Sequence, residues 1–165
     1  EDTERAHLET AIEIHERVTG ERPQGWYLGR CSPNSHRLVA EEGGFTYSAD
    51  TYADDVPYWD HAHGRPQLMV PYTLDANDMR FATAQGFNSG KQFYRYLKDT
   101  FKVLHAEGGR MMSIGLHCRL AGRPGRAAAV AKFIDFLGKQ DDVWVATRLD
   151  IAKHWRAQHP PRGEE

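Results

Sequence analysis

Short apolar runs alternate with helical segments along this 165-residue chain, and that alternation restricts the fold more than any other feature. The runs are Trp26, Tyr27 and Leu28; residues 45–47; Leu68, Met69 and Val70; residues 111–116; and residues 143–146. Each is too short for a helix and suits a strand buried in a sheet. Between them the apolar residues recur at helical spacing. Strands alternating with helices imply βαβ units, a parallel sheet and right-handed crossovers. The class is therefore α/β. Periodicity leaves open whether the sheet closes into a barrel, which typically takes about 250 residues, or stays open.

The helices carry local start and stop signals. Thr3 can cap a first helix with an acidic first turn and apolar Leu8, Ala11, Ile12 and Val18, stopped by Gly20 and Pro23. Ser32 with Pro33 suits the cap and first position of a short helix through Leu38 and Val39 that ends at Gly43 and Gly44. Ser89 opens a long helix whose Phe93, Leu97, Phe101 and Leu104 form one stripe, closed by Gly108 and Gly109. Residues 123–137 form the next, ending at Gly138, and Thr147 with Asp150 makes a capping-box-like start to the last, ended by Pro160 and Pro161. Residues 48–66 and 71–88, rich in Asp, Tyr, His, Gly and Pro, are expected to be loops.

Charge narrows the partners. With 21 basic and 23 acidic residues intermixed, the formal charge is −2, which provides no electrostatic footprint for nucleic acid or an anionic membrane. No apolar run approaches a membrane span, and Glu1, Asp2, Thr3 and Glu4 do not resemble a signal peptide. Cys31 and Cys118, in no CxxC spacing, suit reduced thiols and a cytoplasmic location. A first residue other than Met, and a helix as first element, suggest a chain that starts partway through a larger unit.

Parallel α/β sheets gather function on the loops after the C-terminal strand ends. Those loops hold Arg30 and Asn34 after the first strand, Asp75 and Asp78 after the third, and His117 and Arg119 after the fourth. His117 is the side chain best suited to donate a proton to a leaving nitrogen near neutral pH; the alternative is a core histidine bonded to a backbone carbonyl. Asp75 and Asp78 can orient His117 or hold Arg30, or serve only Asx turns. Arg30, Arg119 and Arg123 can clamp planar carbonyl groups, or form surface ion pairs. His61 and His63 have a metal-like spacing but no third ligand nearby, so no metal site is assigned to them. Tyr52, Tyr58 and Trp59 fit a lid, a subunit contact or simple packing. No GxGxxG, Walker, GxSxG or HExxH motif is present.

At these loops the sequence resembles the polysaccharide deacetylase superfamily. Arg30-Cys31-Ser32-Pro33 stands where that family has its Arg-x-Pro-type motif, Asp75-Ala76-Asn77-Asp78 where it has Asp-x-x-Asp-Trp, and Leu116-His117 where it has its terminal Leu-His. Residues 25–30, 58–60, 70–75 and 111–126 resemble more closely the metal-independent allantoinase branch of purine degradation. Met79 replaces the Trp of the sugar pocket, and Ser32 with Asn34 alters the Arg loop, which argues against acetylated-sugar substrates.

The resemblance implies a distorted (β/α) barrel about twice this long, of which the chain is the C-terminal half of a single domain. It implies His117, Asp75 and Arg30 as catalytic residues, Trp26, Asn34, Asp78 and Arg119 as substrate-binding residues, and a general base from the N-terminal half. The implied activity is hydrolysis of a cyclic amide, allantoin to allantoate, without a cofactor. The expected partners are a small ureide, the N-terminal half of the same protein and further copies in a homo-oligomer. The alternatives are a metal-dependent N-deacetylase, with zinc held by the N-terminal half, and a binding or assembly module.

Overall fold

A computed structural model describes residues 1–161. In chain order the elements are α1 (Asp2–Thr19), β1 (Gly25–Trp26), α2 (Ser35–Glu42), β2 (Tyr47–Ser48), β3 (Tyr58–Asp60), β4 (Gln67–Met69), a 3-10 turn (Asp78–Phe81), α3 (Gly90–Glu107), α4 (Cys118–Ala121), α5 (Pro124–Leu137) and α6 (Arg148–Gln158). They divide into two compact units, one of Glu1–Pro71 with Ala146–Glu165 and the other of Tyr72–Val145.

The first unit holds a four-stranded sheet in the order β1-β2-β4-β3. β1 with β2 and β2 with β4 are parallel, as the alternation predicts, and the sheet is open. β3 departs from the prediction. It lies in the segment read as a loop and pairs antiparallel with β4, Trp59 opposite Leu68. Its three residues are too few to show a period, and the Asp, Gly and Pro around them mask the run. The other strands shift by one or two residues: Leu28 lies outside β1, Phe45 outside β2 and Val70 outside β4.

On this unit Leu8 and Ile12 of α1, Leu38 and Val39 of α2, and Phe45 form a core with Trp26 packed against it. The α1 cap differs from the reading: Glu1 occupies the cap position and Thr3 is already helical. Asp2 and Glu4 in the first turn offset the helix dipole without a capping side chain. Gly20 closes α1 in the left-handed conformation at φ 81°. In α2 the cap is Asn34. Ser32 instead accepts the Asn34 N–H at 3.0 Å, so Ser32 and Pro33 form the turn ahead of the helix. Thr147 and Asp150 make a complete capping box on α6.

In the second unit α3 and α5 bury Phe93, Leu97, Phe101 and Phe133 together with Ala76 and Phe87. Phe81, Phe87 and Phe93 meet edge-on or tilted at 5.2–5.6 Å, geometry that aromatic quadrupoles favour. Ser89 caps α3 by accepting the Gln92 N–H, and Arg123 precedes Pro124 at the first position of α5.

Two predicted strands do not form. Residues 111–116 make no ladder; their one pairing is a parallel bridge between Gly115 and Asn77. Residues 143–146 are likewise irregular, with Trp144 59% and Val145 79% exposed. An apolar run records a demand for burial, but a strand also needs a neighbouring backbone bonded along its length, and residues 111–116 meet theirs in a main-chain bridge at Gly115 alone.

Candidate active site

The site is best followed outward from Asp78. Asn77 caps the 3-10 turn by accepting the Met79 N–H at 2.7 Å, and this turns Asp78 inward, where it is 0% exposed. One carboxylate oxygen accepts the N–H groups of His117 at 2.8 Å and Ala121 at 2.9 Å. The other lies 2.6 Å from His117 Nδ1. A carboxylate only accepts, so Nδ1 carries its proton toward Asp78 and Nε2 is the nitrogen that can exchange a proton with a reactant. A buried carboxylate with these partners satisfies the rule that buried charge must be paired. It also stabilises an imidazolium whenever one forms.

His117 is the residue preceding α4, and its ring is partly exposed. It borders a cavity of about 380 Å³ lined by Leu116, Cys118, Ala121, Val130 and Ile134 among others. Arg119, one residue into α4 beyond Cys118, is exposed. Arg126 lies over the Phe81 ring at 4.3 Å.

Asp75 and Asp78 part company. Asp75 is exposed and accepts a hydrogen bond from Tyr96 Oη of α3 at 2.6 Å. Arg80 stacks on Tyr96 and Phe87. The bond to Asp75, followed by burial, holds the Tyr96 phenol above its ordinary range. Of the two carboxylates it is therefore Asp78, read as substrate-binding, that steadies His117, and Asp75, read as catalytic, that serves a tyrosine. Asp78 opens the 3-10 turn and is buried, while Asp75 lies ahead of it at the surface.

Arg30, Asn34 and Trp26 belong to the first unit. Arg30 is exposed on a loop whose Leu28 and Gly29 N–H groups bind the Asp50 carboxylate at 2.8 and 2.7 Å. Asn34 donates to Glu4 at 2.7 Å, tying α2 to α1, and Trp26 packs on Phe45 at 5.3 Å between ring centres. The latter two are thus engaged in structure rather than presented as a binding face. Asp50, at the end of β2, escaped the sequence reading because no motif surrounds it; its position after a parallel strand was the available signal.

Among the described residues no group of three or more His, Cys, Asp or Glu is arranged to hold a metal ion. His61 and His63 follow β3 in the connection to β4. Among the described residues no helix is long and apolar enough to cross a membrane.

The chain is similar in sequence and in fold to known proteins. A candidate polysaccharide deacetylase of Schizosaccharomyces pombe is 40% identical over 96% of this chain and 56% of its own length. The crystal structure of PuuE allantoinase superposes with a TM-score of 0.94 at 56% identity, over 98% of this chain and 55% of that one. The chain has a polysaccharide deacetylase-like fold and is similar in sequence to members of that superfamily. A probable polysaccharide deacetylase from Pseudomonas aeruginosa PAO1 matches with a TM-score of 0.93, 56% identity and the same coverage. The chain spans about half the length of these superfamily members. No family model matches the sequence.

Proposed function

We propose that this chain forms the proton-donating side of the active site of a hydrolase that opens a cyclic amide, converting allantoin to allantoate in ureide catabolism. The observation that carries the reading is the Asp78–His117 pair, with Nδ1 engaged on a ring that is partly exposed. Met79 in place of the family's Trp favours a ureide over an acetylated sugar; identity does not separate the two, being 56% both to PuuE allantoinase and to the probable deacetylase of P. aeruginosa.

In this scheme water attacks the ring carbonyl and a base on the polypeptide's other half takes one proton. As the carbon–nitrogen bond breaks, His117 Nε2 donates a proton to the departing nitrogen, and Asp78 stabilises the imidazolium beforehand. Arg119, exposed two residues beyond His117, holds a substrate carbonyl. No step requires a metal ligand from this chain. The N-terminal half, further copies in a homo-oligomer and a cytoplasmic location belong to the same proposal.

Replacing His117 with Ala in the intact enzyme is expected to lower turnover by about 10²- to 10⁴-fold with little change in folding. Unchanged allantoin turnover overturns the assignment. A second reading, metal-dependent N-deacetylation, is favoured by the name of the S. pombe relative. Activity that survives chelators supports the first reading; loss restored by zinc supports the second.

A further inference from the structure

We propose that Asn77 and Tyr72 are positioning residues that latch over Gly115 and thereby set where the His117 imidazole stands. The proposal rests on the reading of His117 as the proton donor, and concerns two residues to which that reading gives no role.

Gly115 lies two residues before His117 and is bracketed by the segment that carries Asp78. Its N–H donates to Ala76 O at 3.0 Å, and its carbonyl accepts the Asp78 N–H at 2.9 Å. Any slide of one segment along the other changes the Asp78–His117 distance. Main-chain bonds at a single bridge resist such a slide weakly, because a longer ladder is missing.

Side chains supply the resistance. Asn77 Nδ2 donates to Tyr72 Oη at 2.6 Å, while the Asn77 carbonyl oxygen accepts the Met79 N–H. A Cβ on Gly115 would collide with Tyr72 Oη and with the Asn77 amide, so this pair lies directly over the glycine. Tyr72 is itself buried. Two residues before Gly115 a second lock recurs: the Thr73 N–H donates to Ser113 Oγ at 2.9 Å and the Ser113 N–H to Thr73 Oγ1 at 3.0 Å. The register is thus pinned at both levels. The latch also explains why glycine stands at 115, where the backbone has to pass beneath another side chain.

The test uses the intact enzyme and reads both the His117 Nδ1–H proton resonance by NMR and the kinetic constants. Tyr72→Phe removes the hydroxyl and is expected to shift or broaden that resonance, and to lower kcat about 10-fold or more while KM moves less than about twofold. Gly115→Ala is expected to be more severe, and Gly115→Ala with Tyr72→Phe to recover part of the loss, because the hydroxyl that blocks the methyl is gone. Asn77→Asp, which can still cap Met79 and accept from Tyr72, is expected to retain more of the resonance than Asn77→Ala. An unmoved resonance in Tyr72→Phe, or losses that simply multiply in the double variant, overturns the latch. A resonance that moves while turnover does not leaves the latch standing and counts against His117 as the donor.

Discussion

The Asp78 carboxylate and the His117 imidazole meet at 2.6 Å, with Asp78 withdrawn from solvent and fixed by two further backbone N–H groups. Asp78→Asn keeps an oxygen for those N–H groups but turns an amide toward Nδ1. The imidazole then has to accept at Nδ1 and carry its proton on Nε2, and no negative charge supports an imidazolium. Turnover is expected to fall by about 10²-fold or more, while stability falls by roughly 1–3 kcal/mol. Steady-state kinetics beside thermal unfolding separate the two effects, and a variant as active as the parent removes Asp78 from the mechanism.

Tyr96 holds Asp75 at the surface of the same unit. Its phenol donates to a carboxylate, so ionisation loses that bond and sets two negative charges together. The folded value therefore lies above the ordinary 10.0. The sign follows directly: the bond's contribution is fully present below pH 10 and disappears as pH rises through the raised value. Asp75→Asn is expected to bring the Tyr96 titration down, followed by NMR of the ring carbon that bears the hydroxyl. A titration unmoved by Asp75→Asn refutes the link.

The parts of the fold legible in the sequence are those whose signals are local. α3 and α6 announce themselves through Ser89 and the Thr147–Asp150 box, and α5 through the Gly138 that ends it. β3 was illegible because its evidence is a partner, Leu68 opposite Trp59, and not a pattern. Residues 111–116 were misread for the same reason in reverse: their apolar character is real, but pairing depends on what lies beside them. At the site, His117 and the two aspartates were identifiable as loop residues after apolar runs. Their division of labour was not, because it depends on the 3-10 turn that aims Asp78 inward while Asp75 faces Tyr96.

Cys31 is exposed, yet partial desolvation, followed by the charge and hydrogen bond of Asp50, pushes its thiol up to about 11. Alkylation proceeds through the thiolate, so at pH 8 Cys31 in the folded protein is expected to react about 100-fold more slowly than in an unfolded peptide of the same sequence. Asp50→Asn is expected to raise its rate. Mass spectrometry after timed iodoacetamide treatment reads both outcomes, and equal rates in the folded protein and the peptide contradict the assignment.

Leu116, Ile134, Trp144 and Val145 are exposed large apolar residues of the second unit, three of the four in segments whose apolar pattern predicts a strand. Monomeric proteins rarely leave much contiguous apolar surface uncovered, and unpaired backbone beside it invites association. Under the function proposed above, this surface is where an N-terminal half would seat. The 165-residue chain alone is therefore expected to bind a hydrophobic dye and to associate in sedimentation experiments, and both behaviours are expected to recede when the N-terminal half is supplied. Leu116→Ser with Val145→Ser should weaken dye binding by the isolated chain and also weaken capture of that half, because the same side chains serve both. A monodisperse monomer of this chain that unfolds cooperatively and binds no dye overturns the expectation.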